Sequence, residues 1–303
     1  MSDFTSCLFK YIKPFALVTT AMMALACGAA STPDAPLNSA KPDTVASAQN
    51  LPPIREHLAC LPQEAAIIAA HRGTSKDWDE PENSISALKK LIAGGYLMAE
   101  IDIAGLRDDT LITFHDGVWD EMTTGKGPVA STTKAGLESI LLESRKGVLS
   151  AERPSLFADM LATAKGNLYL EIDFKSSARE SQVIDLINEY GMGDQVILIS
   201  YEPSQAKRLA KLAPNMLLSI GPDTPMRGQA IWMGGRLATA DMSKLDTTSF
   251  MLGRVGKKSE VRGLRTYQDR AHVLVSDYAN QYRPITGLSQ DSEIKYRACL
   301  SEL

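Results

Sequence analysis

The feature that most constrains this 303-residue chain is an alternation of two patterns from near Ile54 to close to the C-terminus. Short β-like apolar runs trade places with amphipathic helical stretches. Strands are expected at residues 65–70, 96–103, 111–114, 168–174, 195–199, 216–220 and 271–275. Helices are expected at 84–93, 156–164, 180–190 and 204–212, the first capped by Asn83 or Ser84. Two or three more strands belong in 221–262, near Arg236–Thr239 and Phe250–Arg254. Strand then helix, repeated, requires a parallel sheet with helical crossovers. The length suits a closed (β/α)8 TIM barrel, with an open doubly wound sheet as the rival. No Gly-x-Gly-x-x-Gly follows the first strand, so dinucleotide binding has no support.

Residues 1–26 read as a secretory signal peptide. Lys10 and Lys13 precede the apolar stretch Phe15–Ala26, with small residues at Ala24, Ala26 and Gly28. Cleavage after Ala26 competes with lipidation of Cys27, as in bacterial lipoproteins. Such signals prefer Leu three places before the cysteine, where this chain has Ala24, yet lipidation is the favoured route. Residues 27–53, rich in Ala, Ser, Pro, Asp and Asn, read as a flexible tether, leaving 54–303 as the folded domain. The protein is thus expected to be exported, either periplasmic or held at a membrane by a lipid anchor. In such a compartment Cys60 and Cys299 are either a disulfide joining the ends of the domain or two unrelated buried thiols. No CxxC or Cys/His cluster points to zinc. The 44% hydrophobic content excludes disorder over most of the chain. A net charge of −4 without a basic patch argues against nucleic acid as a partner. No protein partner is expected.

Five clusters sit at or just beyond strand ends, where a β/α barrel builds its active site. His71-Arg72-Gly73 offers a proton carrier, a planar cationic fork and a sharp turn. Pro81-Glu82-Asn83 is either a routine helix start or part of a site. Glu100 and Asp102, two apart on a strand, project from the same face. Two such carboxylates between apolar neighbours call for a cation, and metal ligation is favoured over a structural ion pair. His115-Asp116 supplies a second imidazole, and two imidazoles can divide the work of general acid and general base. Glu171, Asp173 and Lys175 alternate onto one face. A third carboxylate there completes an all-oxygen site for Ca²⁺ or Mg²⁺, and Lys175 can neutralise a phosphate oxygen. His57, at the edge of the tether, and His272 carry weaker signals. Trp78, Trp119 and Trp232 read as packing or rim residues, with Trp119 placed to line a pocket beyond His115.

Together these clusters resemble the glycerophosphodiester phosphodiesterases. The resemblance rests on His71-Arg72-Gly73, Pro81-Glu82-Asn83-Ser84, Glu100-x-Asp102, His115-Asp116-Gly117 and Asp173-x-Lys175, in the order and spacing of that family. Thr123-Thr124-Gly125-Lys126-Gly127, Thr132-Thr133 and Arg153-Pro154-Ser155-Leu156 add to it, and Val273-Leu274-Val275-Ser276-Asp277 is similar to the last barrel strand. The resemblance implies a TIM barrel of the phospholipase C-like phosphodiesterase type with a small insertion after the second strand. It implies one divalent metal ion, Ca²⁺ or Mg²⁺, on Glu100, Asp102 and Asp173, with Glu171 as a further candidate ligand. It implies His71 and His115 as the acid/base pair, Arg72 and Lys175 on the phosphate, and Glu82 and Asn83 supporting the substrate site. The expected substrate is a small-molecule phosphodiester, cleaved to an alcohol and sn-glycerol 3-phosphate. Two departures stand out: the third metal carboxylate is commonly Glu where this chain has Asp173, and the family's Trp motif on a late strand is not evident in 221–262. The alternatives are a phospholipase D-type enzyme acting on lysophospholipid or sphingolipid, and an inactive phosphate-ester binding protein.

Overall fold

The structure is a computed structural model that describes residues 50–62, 65–220, 230–233, 250–255 and 273–303. Residues 1–26, expected to be a signal peptide, together with Cys27, most of the expected tether at 27–53, Arg236–Thr239 and His272, lie outside the described residues, as does the side chain of Trp232.

Eight strands run parallel: β1 (Ala66–Ala70), β2 (Met98–Gly105), β4 (Tyr169–Phe174), β5 (Val196–Ser200), β6 (Leu217–Ile220), β7 (Ala230–Met233), β8 (Phe250–Val255) and β9 (Val273–Ser276). Each pairs with the next, and β1 pairs with both β2 and β9, so the ladder closes on itself. The barrel was legible as a repeating pattern; the closure comes from β1 serving two neighbours. A strand expected in 221–262 appears as β7, and the other as β8.

The side-chain period of two divides these strands into inner and outer sets. Ile68, Ala70, Ile101, Ile103, Leu170, Ile172 and Leu198 face outward into a core shared with the helices. Those are α2 (Ile85–Ala93), α3 (Phe157–Ala164), α4 (Glu180–Glu189) and α5 (Pro203–Leu212). Ile67, Ala69, Met98, Tyr169, Ile197, Leu217 and Val273 fill the lower interior. Glu100 pairs in register with Glu171, and Asp102 with Asp173, so the same alternation that buries Met98 and Tyr169 aims four carboxylates inward.

β3 (Leu111–Thr113) is not a barrel strand. It pairs antiparallel with the end of β2 through the turn at 106–110, because so short a connection cannot return a chain for parallel pairing. It begins the insertion, which runs to α3 and has its own core of Leu106, Phe114, Trp119, Val129, Leu137, Ile140 and Leu142. Trp119 is fully buried there and donates its indole N–H to Thr132 Oγ1 at 2.8 Å. It packs the insertion, in line with the packing reading of the sequence and against the alternative that it lines a pocket.

The barrel floor is closed by α1 (Ile54–Cys60), whose Ile54 and Leu58 pack under Ile67, Met98 and Tyr169. His57, which lies in sequence at the edge of the expected tether, is buried. Its Nδ1 lies 2.8 Å from the Tyr169 hydroxyl and its Nε2 2.5 Å from that of Tyr296. Tyr169 donates its own proton to the Pro52 carbonyl at 2.6 Å. It therefore accepts from His57 Nδ1–H, which leaves Nε2 to accept from Tyr296. Burial pushes the His57 pKa down to about 4 and that of Tyr296 up to about 12. Tyr296 lies on α6 (Gln290–Ser301), and a disulfide between Cys60 and Cys299 ties α6 to α1 with a Cα–Cα distance of 5.6 Å. The two-residue β10 (Ile285–Thr286) adds antiparallel to the start of β1.

Candidate active site

The candidate site occupies the C-terminal ends of β1, β2, β4 and β9. β1 ends directly in a tight turn, His71–Gly73, in which Arg72 (φ 57°) and Gly73 (φ 68°) both adopt left-handed backbone. A Cβ on Gly73 would also lie 3.2 Å from Leu88, so glycine is favoured there on two counts. This turn aims the Arg72 N–H at Glu100 Oε2, 2.8 Å away. Arg72 Nη1 donates to Glu82 Oε1 at 2.7 Å. Asn83 is left-handed too (φ 55°), a conformation Asn tolerates. Its N–H bonds the Arg72 carbonyl at 2.7 Å, its Nδ2 donates to Asp102 Oδ2 at 2.8 Å and its Oδ1 accepts from the Asp102 N–H at 3.0 Å. Ser84 then caps α2 by accepting from the Ala87 N–H. The Pro81-Glu82-Asn83 segment is therefore a helix start whose Glu82 and Asn83 also bond Arg72 and Asp102. Neither Glu82 nor Asn83 is a free recognition group, because Arg72 and Asp102 already engage them.

Glu100, Asp102 and Asp173 are buried and offer oxygens that all lie within 4.8 Å of one another. Lys175 Nζ reaches Asp102 Oδ1 at 2.6 Å and Asp173 Oδ2 at 2.9 Å, and Tyr201 donates to Asp173 Oδ2 at 3.2 Å. Burial opposes the charge on Asp102, but Lys175 and Asn83 more than offset it and hold its pKa below the usual carboxylate range. Glu100 has no such cation, and burial followed by repulsion from Asp102 pushes its pKa well up. With all three carboxylates ionised, the one ammonium of Lys175 would leave two negative charges uncompensated, and the raised pKa of Glu100 reflects that missing positive charge. An all-oxygen donor set with that deficit fits a hard divalent cation. Glu171 lies one pleat deeper in β4 and is fully buried, outside the set of oxygens that converge.

The two histidines flank this cluster. His71 Nε2 lies 3.8 Å from Glu100 Oε2, and its Nδ1 donates to Asp277 Oδ1 at 2.6 Å. His115 is close enough to Asp102 to favour its charge, and its Nδ1 donates to Asp116 Oδ1 at 2.7 Å. In both rings a carboxylate on Nδ1 fixes the tautomer and turns Nε2 to other work. The hydrogen bond from His71, helped by Arg145, holds the Asp277 carboxyl far below the usual range. Arg145 was not singled out from the sequence. It donates from Nε to Glu82 Oε2 and from Nη1 to Asp277 Oδ1, both at 2.6 Å. A cleft of about 460 Å³, lined in part by Arg72, Lys76, Glu82, Asp116 and Arg145, opens beside these residues.

The family model for the glycerophosphoryl diester phosphodiesterases matches residues 71–254, more than half of the chain. The chain belongs to this family. Among curated proteins it is 27% identical over 161 residues to the glycerophosphodiester phosphodiesterase of Caldanaerobacter subterraneus subsp. tengcongensis, covering 51% of this chain and 65% of that one. The matched region thus spans slightly less than two thirds of that relative. The fold is similar to a glycerophosphoryl diester phosphodiesterase from Parabacteroides distasonis (TM-score 0.58, 14% identity, 81% of this chain and 90% of that one). It is also similar to an Oleispira antarctica phosphodiesterase solved with its product sn-glycerol-3-phosphate (TM-score 0.54, 18% identity, 74% and 96%). Both neighbours support a TIM-barrel fold with the family's architecture.

Proposed function

We propose that this protein hydrolyses glycerophosphodiesters to an alcohol and sn-glycerol 3-phosphate with the help of one divalent cation, Ca²⁺ or Mg²⁺. The observation that carries the reading is three converging buried carboxylates flanked by two imidazoles, each oriented through Nδ1 by its own carboxylate. Family membership and the product held by the Oleispira neighbour point the same way.

Glu100, Asp102 and Asp173 would hold the cation, whose contribution when bound is to polarise a phosphoryl oxygen. Arg72 Nε is buried and has no partner among the described residues, so it is a donor that a phosphoryl oxygen would satisfy. Lys175, paired with Asp102 and Asp173, would balance charge as it builds on the equatorial oxygens. One imidazole takes the proton from the nucleophile and the other returns a proton to the leaving alkoxide; water as nucleophile gives sn-glycerol 3-phosphate directly, whereas the glycerol 2-hydroxyl gives a cyclic phosphate that a water must then open in a second step. Asp277 and Asp116 hold the rings so that Nε2 is the atom that exchanges that proton. The test is single-residue replacement. His71→Ala and His115→Ala should each lower kcat by about 100-fold or more. Turnover within about tenfold of wild type in either variant would refute the two-histidine mechanism.

We also infer that the protein acts outside the cytoplasm, released by cleavage after Ala26 or anchored through a lipidated Cys27. The charge and apolar order of residues 1–26 supports this, and so does a disulfide in the folded domain. Palmitate labelling that is lost in Cys27→Ser would separate anchoring from release.

A further inference from the structure

We propose that Arg145 is a positioning residue for catalysis, a latch through which the insertion sets the orientation of His71 and Arg72. The proposal rests on the hydrolase reading above and adds a residue that neither the sequence motifs nor the mechanism had used.

Arg145 sits on a tight turn of the insertion, where the Gly147 and Val148 N–H groups bond back to Ser144. Its side chain is only 13% exposed. The guanidinium reaches two carboxylates from different parts of the barrel, Glu82 before α2 and Asp277 after β9. Each of those carboxylates in turn holds a group aimed at the reacting phosphate. Glu82 Oε1 accepts from Arg72, and Asp277 Oδ1 accepts from His71 Nδ1. The bonds form an unbroken chain, Arg72–Glu82–Arg145–Asp277–His71, with Arg145 as the only link between its two halves that comes from the insertion.

Planarity is what makes Arg145 suitable. Nε and Nη1 leave the guanidinium at a fixed angle, so one side chain sets the separation of the two carboxylates. A lysine would bring the charge without the fork. Without Arg145, Asp277 would keep its backbone anchors, the carbonyl bonds from the Lys76 N–H at 2.8 Å and the Ser75 hydroxyl at 3.3 Å. Its carboxylate, however, would keep only the His71 bond and a looser pairing with Lys76 Nζ at 3.8 Å, and would hold the imidazole less firmly. The insertion would stay folded. Glu152 still bonds Ser86, the Leu142 N–H still bonds the Glu152 carbonyl, and the Trp119 core does not involve Arg145. Loss of the latch should therefore act on turnover before it acts on stability.

The test compares Arg145→Met, Arg145→Lys and, as a control, Lys146→Met on the full protein. Lys146 lies on the same turn but pairs only with the exposed Asp79. Steady-state turnover of glycerophosphocholine and the proton resonance of His71 Nδ1–H in ¹⁵N-histidine-labelled, substrate-free protein are both read. Arg145→Met should lower kcat about 10- to 100-fold with KM within about threefold of wild type. Arg145→Lys should recover only part of kcat, and Lys146→Met should match wild type. The downfield Nδ1 resonance of the wild type should weaken or move in Arg145→Met. A wild-type kcat with an unmoved resonance in either Arg145 variant would overturn the proposal. A raised KM at unchanged kcat would also overturn it, because it would make Arg145 a substrate contact. If Arg145→Met fails to fold, Arg145→Lys carries the same readouts. If the wild type releases no product, the hydrolase reading fails, and the resonance still decides whether Arg145 orients His71.

Discussion

Acid should weaken this fold through His57, and the size of the effect follows from its surroundings. His57 is 1% exposed on the barrel floor, and its Nε2 accepts from Tyr296. A protonated ring would make the Tyr296 hydroxyl an acceptor, take the imidazole away as acceptor for its proton, and put a charge in an apolar core. Burial accordingly lowers its pKa from 6.5 to about 4. Above about pH 6.5 the folded and unfolded chains both hold His57 neutral, and the group has no effect. As pH falls from about 6.5 towards 4, the unfolded chain gains a proton that the folded chain refuses, so stability drops. The loss approaches about 3 kcal/mol once pH is below the folded value, of which about 2.5 should be visible between pH 7 and 4.5. The assay is urea unfolding at several pH values in that range, with chelator, for wild type and His57→Phe. The variant carries a constant penalty because Tyr296 loses its acceptor, so the quantity to read is the difference in slope. Wild type should lose stability with falling pH more steeply than His57→Phe. Parallel profiles would refute the reasoning.

Other outcomes follow from the same contacts. Cutting the Cys60–Cys299 bridge with Cys60→Ser frees a span of 239 residues, and the chain-entropy estimate puts the cost near 5 kcal/mol, seen as a lower Tm in the variant. Asp277→Asn should lower kcat by roughly 10² while leaving the fold intact by circular dichroism, because His71 loses the carboxylate on Nδ1. Asn83→Ala removes both bonds to Asp102 and should weaken divalent-cation binding by about 10- to 100-fold, measured by calorimetry. Glu100→Gln should abolish that binding, since it replaces one of three converging carboxylates with a neutral amide.

The barrel strands with long apolar runs were legible because burial on both faces leaves a run that sequence alone displays. β7 falls within the expected 221–262 stretch, but its four residues could not be fixed from the sequence because that stretch has no clear periodicity. α6 was missed for a physical reason: only Ser292 and Tyr296 of its twelve residues are buried, so it has no apolar stripe. α1 is too short to show one, and β10 has two residues. The carboxylates of the site were legible because strand alternation alone puts Glu100 with Asp102 and Glu171 with Asp173. The roles of Arg145 and Asp277 were not, because 132 residues separate them and only the closed barrel brings them together. The place of His57 in the core was not legible for the same reason: its partners, Tyr169 and Tyr296, are 112 and 239 residues away.

The central claim is that the converging carboxylates and paired imidazoles cleave a glycerophosphodiester. It is tested most directly by measuring sn-glycerol 3-phosphate released from glycerophosphocholine and glycerophosphoethanolamine, with Ca²⁺, with Mg²⁺ and with chelator, beside His71→Ala. Release that requires a divalent cation and vanishes in the variant is the expected result. Release that persists in chelator or in His71→Ala, or no release under any condition, would contradict the account.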